Sequence, residues 1–201
     1  VSDWRLKGHA EADFWRWVST WAVMVRHPRD LGYDEPGYDL PPLNIHQITV
    51  PVDHHASLDT GTLFALEANT LTERRQAARN SIAHRVKAAA DLVHTKPDDQ
   101  WLLWCQLNDE ADMLNRSIPD SVEVRGSDKP ENKTERLLGF AHSDIRILTS
   151  KPKIAGFGMN FQSCHNMVFV GLNDSFEQLY QAIRRCWRFG QTKPVDVYLI
   201  A

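Results

Sequence analysis

The chain has 201 residues, of which 42% are hydrophobic and 24% are charged, and its formal net charge is −3. This length suits one α/β domain with an appendage or two small domains, and the composition is ordinary for a soluble globular protein. Positive and negative side chains balance from Trp101 onward. We therefore expect any phosphate-binding site to be a local cluster rather than a general basic field.

Cysteine content and hydropathy exclude several other classes of protein. Cys105, Cys164 and Cys186 are too few and too scattered for a disulfide framework, which indicates a reduced, cytoplasmic compartment. No apolar run approaches the roughly 18 residues of a membrane span, so no membrane partner is predicted. The chain starts at Val1 without a methionine and stops inside the apolar run Val195–Ala201, so we expect an excised part of a longer protein.

The first half of the chain is predicted to be mainly helical. His9–Arg26 carries apolar residues, several of them tryptophans, three and four positions apart, which predicts an amphipathic helix. A loop rich in Gly, Pro and Asp precedes a predicted strand, Ile45–Val52. Ser57–His94 has the composition of one or two helices broken near Asn69.

Strands and helices alternate after the linker Lys96–Asp99, where we place the domain boundary. Residues 1–96 then form an N-terminal helical extension, and residues 97–201 form an α/β lobe. The alternation predicts a mostly parallel sheet covered by helices on both faces, with ligands at the carboxyl ends of the strands. The predicted elements are strand Trp101–Gln106, helix Asn108–Asn115, strand Val122–Val124, helix Glu131–Phe140, strand Ile145–Thr149, strand Met167–Gly171, helix Ser175–Arg188 and strand Val195–Ile200.

The predicted helix Ser175–Arg188 gathers polar side chains on one face. At 100° per residue, Gln181, Arg185 and Arg188 fall together. Two guanidiniums one turn apart repel each other unless an anion lies between them, and arginine is well shaped to grip phosphate oxygens. A solvated cationic face with an arginine paired to a carboxylate has the same spacing. The opposite, apolar face is predicted to pack on the sheet through Phe176, Leu179, Ile183 and Trp187.

The string QAIRRCWRFGQ closely resembles motif VI of superfamily-two helicases of the Snf/Swi-type branch, whose pattern is Q-x-x-x-R-x-x-R-x-G-Q. Gln181, Arg185, Arg188, Gly190 and Gln191 match that pattern. The resemblance implies that the two matching arginines are arginine fingers, which reach the γ-phosphate of an ATP held with Mg²⁺ by another lobe. It also implies that Gln181 and Gln191 help to position groups in this ATP cleft. The family often has glycine or another residue at Arg184, so that residue is not expected to be a finger.

A second stretch, Ile147–Ser150 followed by Ile154–Phe161, resembles motif V of the same family, which usually has a Ser or Thr after the strand and then G-x-G-x-N. The resemblance implies that Gly156 and Gly158 let the backbone approach a phosphate or the partner lobe in the ATP cleft. Ala155 departs from the usual glycine, and the lysines of Lys151–Lys153 either contact phosphates or belong to a solvated loop. The implied nucleic-acid contacts are Thr149, Ser150, Lys151 and Asn160.

Looser similarities extend the resemblance back to about Leu40. Trp101–Gln106 resembles motif IV, and Leu40–Pro42 resembles the link into the second lobe. We associate the Trp-rich first fifty residues with the region after motif III in phage-type members. The resemblance implies a RecA-like second lobe of the P-loop NTPase class, whose partners are an N-terminal RecA-like lobe and DNA or RNA.

Several motifs in the sequence are not expected to carry chemistry. Asp109–Asp112 spells DEAD, but Asn108 looks like a helix cap, and no P-loop pattern occurs in the chain. The chain alone is therefore predicted not to hydrolyse ATP. Two pairs, His54–His55 and Cys164–His165, lack companions at ligand spacing, so no metal site is predicted. The alternative function is a non-catalytic α/β module that binds phosphate or an acidic partner.

Overall fold

The computed structural model describes residues 7–25, 27–51, 70–155 and 158–201. The chain forms two compact units, Val1–Asp39 and Leu40–Ala201. This division lies well before the boundary that the sequence places at residue 97, because a strand and a helix from the intervening region pack with the sheet of the second unit. None of the described helices is both long and apolar enough to cross a membrane.

The first unit contains one α-helix, α1 (Glu11–Val18), and short 3-10 turns among its described residues. The helix predicted over His9–Arg26 is shorter than expected, and its last predicted residue lies outside the described residues. The Ser19 and Thr20 hydroxyls donate to backbone carbonyls in the preceding turn, an arrangement that competes with continuation of the helix. The aromatic side chains of this segment are exposed and contact one another: Phe14, Trp15, Trp17 and Trp21.

The second unit is built on a six-stranded sheet in which every pair of neighbouring strands runs parallel. The strand order is β1-β6-β5-β2-β4-β3, so strands that are distant in sequence lie side by side. This sheet confirms the parallel α/β class predicted from the alternation of elements. The strands are β1 (Leu43–Ile48), β2 (Trp101–Trp104), β3 (Ser121–Val124), β4 (Ile147–Ser150), β5 (Asn166–Phe169) and β6 (Val195–Ile200).

Helices cover both faces of this sheet. Alternate residues of β2 enter different cores: Trp101 and Leu103 pack with the helices on one face, and Leu102 and Trp104 pack with those on the other. All four are fully buried, as expected for a central parallel strand. The helices are α2 (Leu71–Asn80), α3 (Ile82–Thr95), α4 (Asn108–Ser117), α5 (Pro130–Ala141), α6 (Pro152–Ala155) and α7 (Phe176–Ile183).

Two predicted helices differ from the structure. The helix predicted over Ser175–Arg188 ends at Ile183, and the following residues form tight turns. Phe176, which was predicted to pack on the sheet, is 77% exposed and stacks on Tyr180. It is the first residue of α7 and lies beyond the covered part of the helix. The helix or helices predicted over Ser57–His94 are described only from residue 70 onward, where Thr70 caps α2.

The DEAD string lies inside α4 rather than at the end of a strand. Leu107, not Asn108, is the N-cap residue of this helix. Glu110 is buried and accepts hydrogen bonds from the backbone N–H groups of Gln106 and Leu107, at 2.7 and 2.9 Å. This carboxylate therefore closes the start of its own helix and is not directed toward solvent.

Candidate functional site

The Arg185 and Arg188 guanidiniums meet at one backbone carbonyl. Nη1 of Arg185 donates to the Met159 oxygen at 3.0 Å, and Nη1 of Arg188 donates to the same oxygen at 3.3 Å. The two cations are therefore neighbours, as their spacing in the sequence predicted. Met159 belongs to the loop between α6 and β5, so the motif V stretch and the motif VI stretch form one site.

The turn that follows α7 is held in place by the hydrophobic core and by a neighbouring loop. Ala182, Ile183 and Cys186 are buried in the core, which anchors the turn to the sheet. The Phe161 backbone N–H donates to the Arg185 carbonyl at 2.9 Å and ties the turn to the neighbouring loop. Gly190 ends the turn with φ +90, a conformation that side-chain-bearing residues rarely adopt.

The arginine pair has no carboxylate partner among the residues that the structure describes. Burial lowers the pKa of the Arg185 guanidinium, and the positive charges of Arg188 and Arg184 lower it further. The Arg184 guanidinium lies 5.2 Å from the ring centre of Trp187, where it forms a cation–π contact. Positive charge is thus concentrated at Arg185 and Arg188, which makes this surface suited to an anion.

The two glutamines of motif VI have different surroundings. Gln181 Oε1 accepts from Nη2 of Arg185 at 3.2 Å, so its side chain orients one of the two cations. Gln191 is buried; its amide donates to the carbonyls of Cys164 and Cys186, and its Oε1 accepts from two backbone N–H groups. In this structure Gln191 holds two loops together, since both polar atoms of its side-chain amide bond to backbone groups.

The motif V residues are divided between two places. Gly158 is exposed, adopts φ +77 and adjoins Met159, whereas Gly156 lies outside the described residues. Asn160 follows Met159, and its amide donates to Oε1 of Gln162 at 3.2 Å. Asn160 is therefore grouped with the arginines and not with the hydroxyls at the end of β4.

A separate cleft of about 300 Å³ opens at the carboxyl ends of β2, β3 and β4. Ser150 and Lys151 line it, together with residues of the loop after β3. The Ser150 hydroxyl donates to the Val124 carbonyl at 3.0 Å. Thr149 is fully buried within β4, and its hydroxyl has no partner among the described residues. A buried side chain offers no surface to a nucleic acid, so Thr149 does not belong to this cleft.

One of the two cationic side chains that line this cleft is already paired with carboxylates. Arg125 forms ion pairs with Asp112 and with Glu123, whose carboxylates hold its pKa above the ordinary arginine value. The Lys151 ammonium instead donates to the neutral amide oxygen of Asn108, at 2.7 Å. Lys151 therefore lines the cleft without a carboxylate partner among the described residues.

Sequence reasoning did not identify Met159 and Asn108 as parts of these sites. Met159 contributes only its backbone carbonyl, which any residue type could supply. Asn108 was interpreted as a helix cap, and its contact with Lys151 joins positions 43 residues apart. Neither role leaves a signal in residue type or spacing.

The histidine and cysteine pairs of the sequence are residue types that can bind metals. His54 and His55 lie outside the described residues. Cys164 is buried, and His165 Nε2 lies 3.5 Å from an oxygen of Asp99. Among the described residues, no group of three or more His, Cys, Asp or Glu side chains could hold a metal ion.

Comparison with known protein families agrees with the fold. Residues 84–190, more than half of the chain, match the family described as the helicase conserved C-terminal domain. The matched segment includes α4, the loop with Met159 and both arginines of the turn. This chain belongs to the helicase conserved C-terminal domain family.

The matches to individual relatives cover only a small part of each relative's length. The TATA-binding protein-associated factor mot1 of Schizosaccharomyces pombe is 30% identical over 117 residues, which are 53% of this chain and 6% of that protein. The chromodomain-helicase-DNA-binding protein 1-like of Danio rerio is 30% identical over 104 residues, 48% of this chain and 10% of that protein. The chain thus spans a tenth or less of the length of these two relatives.

A solved structure shares the fold. The crystal structure of the C-terminal part of the Fun30 ATPase domain superposes with a TM-score of 0.53, covering 58% of this chain and 40% of that chain at 22% sequence identity. This likeness confirms the RecA-like arrangement of a parallel sheet between helices.

Proposed function

We propose that this chain is the second RecA-like lobe of an ATP-dependent DNA translocase of the Snf/Swi-type branch. In this proposal Arg185 and Arg188 reach the γ-phosphate of an ATP bound by a first lobe. The observation that carries it is the arginine pair on the Met159 carbonyl, which has no carboxylate partner among the described residues. A guanidinium can bind phosphate oxygens through two parallel N–H donors, so such a pair is prepared for a phosphate group.

The two arginines contribute differently. Arg185 makes three hydrogen bonds, two of them to the carbonyl and the amide oxygen of Gln181, so its guanidinium is fixed. Arg188 makes one, at 3.3 Å, and keeps most of its donors for a ligand. During phosphoryl transfer, negative charge on the γ-phosphate oxygens is stabilised by such groups. In this proposal the first lobe would hold Mg²⁺, which would neutralise negative charge on the phosphates.

DNA is the proposed track because of the second cleft and the relatives. Ser150 and Lys151 line a cleft at the carboxyl ends of the strands, and Lys151 offers an ammonium that is not paired with a carboxylate. The names of two relatives refer to DNA binding and to a TATA-binding protein. A phage-type origin and a cytoplasmic location are further parts of the proposal, based on the Trp-rich first fifty residues and on the few, scattered cysteines.

The test of the arginine assignment uses the two-lobed protein and measures DNA-stimulated ATP hydrolysis. Arg188→Ala and Arg188→Lys should each lower turnover by roughly 10³-fold or more, because lysine cannot reproduce the guanidinium geometry. Nucleotide binding should change little. The matched control is Arg184→Ala, which removes the neighbouring guanidinium that lies over Trp187. Near-normal turnover in the Arg188 variants would overturn the proposal.

A non-catalytic phosphate-binding or partner-binding module is the competing function. It shares the arginine pair but requires no first lobe. The reading frame that encodes this chain separates the two functions, because a translocase needs a P-loop and an acidic strand-end motif in a preceding lobe. A reading frame without them would favour the binding module.

A further inference from the structure

A third surface, on the other half of the sheet's carboxyl edge, has no role in the proposed ATP site. It is a cleft of about 660 Å³ between α2 and the ends of β2, β5 and β6. Neither Arg185 nor Arg188 lines it, and it shares no lining residue with the cleft beside Lys151. Its volume is within the range of known ligand sites.

Three arginines of α2 line this cleft: Arg74, Arg75 and Arg79. Positions 74, 75 and 79 fall within about 140° of one another on a helix, so one face of α2 carries all three. Arg75 and Arg79 are exposed and have no hydrogen-bond or ion-pair partner among the described residues. Arg74 lies 3.7 Å from Asp174 across the rim, and both side chains are more than half exposed.

The negative charge at the base of the cleft is already neutralised. Glu110 lines the cleft but is paired with Arg85 at 2.6 Å, and both side chains are almost completely buried. The Arg85 guanidinium also donates to the Ser81 hydroxyl and to the carbonyls of Ala78 and Val170. Asp174 is the other acidic side chain among the described lining residues and is paired with Arg74, so Arg75 and Arg79 give the cleft a net positive rim.

We infer that this cleft, referred to as the α2 cleft, binds the phosphate backbone of a DNA strand through Arg75 and Arg79. Arginines on successive turns of a helix lie about 5–6 Å apart at their Cβ atoms, so they can follow consecutive phosphates of a strand. The cleft is open, and its exposed arginines lie on the rim, which suits a polymer better than an enclosed small ligand. The inference rests on the proposed function only for the choice of DNA as the polyanion.

The α2 cleft is connected to α7, the helix that precedes the turn with Arg185 and Arg188. Asn173, in the lining, donates to Oε1 of Gln178 on α7 at 2.9 Å, and its own oxygen accepts from the Ser175 backbone N–H. Ser175 caps α7. A DNA strand in the cleft would therefore contact the loop that leads into α7.

The experiment measures binding of a fluorescent duplex DNA to this 201-residue chain by anisotropy, across a series of salt concentrations. Arg75→Gln combined with Arg79→Gln should weaken binding at least about tenfold at about 50 mM salt and reduce the slope of log K against log salt by about 1.8. The matched control combines Lys87→Gln with Arg116→Gln, which removes two exposed charges outside the cleft. That control should bind nearly as the unchanged chain does. Circular dichroism should show all three proteins folded.

Three results would overturn the inference: equal binding by the α2 double variant, equal weakening by the control, or no DNA binding by the unchanged chain at low salt. A small phosphate ligand is tested with ADP and with inorganic phosphate. Displacement of DNA by millimolar ADP, lost in the α2 variant, would also overturn the assignment to a polymer. ATP turnover in the two-lobed protein is measured separately through Arg188, so failure of one proposal leaves the other intact.

Discussion

Arg85 and Glu110 form an ion pair that is almost completely removed from solvent, with 2.6 Å between Nη1 and Oε1 and side-chain exposures of 3% and 1%. The pair joins α3 to α4 and, through the Val170 carbonyl, reaches the end of β5. Both oxygens of the Glu110 carboxylate accept at least one hydrogen bond. A buried pair of this kind is costly to break because one charge would remain without compensation.

Glu110→Gln should therefore lower the free energy of unfolding by about 3–5 kcal/mol, as expected when one partner of a buried pair is lost. Urea unfolding of the chain, followed by circular dichroism, measures this loss. Glu135→Gln, at an exposed position of α5, is the control and should change stability by less than about 0.5 kcal/mol. Arg85→Met combined with Glu110→Leu should recover much of the loss. A double variant that loses as much stability as the two single variants together would contradict the role of the ion pair.

Gly171 should not tolerate a methyl group. A Cβ at this position would lie 2.6 and 2.9 Å from the Glu110 oxygens and 3.0 Å from Nη1 of Arg85. We expect Gly171→Ala to lower stability by about 1–3 kcal/mol, since the buried pair has to shift. Gly126→Ala meets only Ile154 Cδ1, at 3.8 Å, and serves as the control in thermal unfolding. Equal melting temperatures for the two variants would show that the pair moves without cost.

Gln191 is expected to stabilise the folded chain. Replacement by Leu leaves the buried carbonyls of Cys164 and Cys186 without their amide donor. Each orphaned buried group costs about 1–3 kcal/mol, so Gln191→Leu should be destabilised by at least that amount. Gln181→Leu, which alters a side chain bonded to Arg185, should unfold almost as the unchanged chain does. If Gln191→Leu kept full stability, the residue would act elsewhere, in agreement with a direct role in the ATP cleft.

Two buried thiols should make the fold sensitive to alkaline conditions. Burial raises the pKa of the Cys105 and Cys186 thiols well above the ordinary value of 9.0. The folded state keeps both thiols neutral, whereas the unfolded chain ionises them above pH 9.0. The contribution of these thiols to the free energy of unfolding is therefore complete below pH 9.0 and is lost as the pH rises above it. Between about pH 8 and about pH 10, the free energy of unfolding should fall by about 1.4 kcal/mol more per thiol than in Cys105→Ala combined with Cys186→Ala. If the free energy of unfolding fell equally with pH in the unchanged chain and in the double variant, this prediction would be wrong.

The alternation of apolar runs and helical segments was enough to predict the parallel sheet. The last strand, Val195–Ile200, has the bounds that the sequence predicted. Burial on both faces makes such strands continuously apolar, so the pattern is strong. The edge strand β1 and helix α3 were assigned to an extension, because only the three-dimensional pairing of β1 with β6 reveals that they belong to the sheet.

The candidate site was predictable where side chains carry the signal. Spacing placed Arg185 and Arg188 together, and the structure confirms that they meet, although α7 ends at Ile183. The end of the helix was missed because tight turns continue with similar residue spacing. The shared Met159 carbonyl and the α2 cleft depend on backbone atoms and on contacts between distant segments, which a linear pattern does not contain.

The strand order has a consequence for how this unit acquires its structure. Among the described strands, β1 pairs only with β6, and the contact between Asn44 and Asp196 spans 152 positions. During synthesis β1 emerges early and has no partner until β6 has been made. Closing so long a loop is entropically costly and slow. We expect β2, β3, β4 and β5 to assemble first, with β6 and then β1 added last, so that the first-made strand completes the sheet.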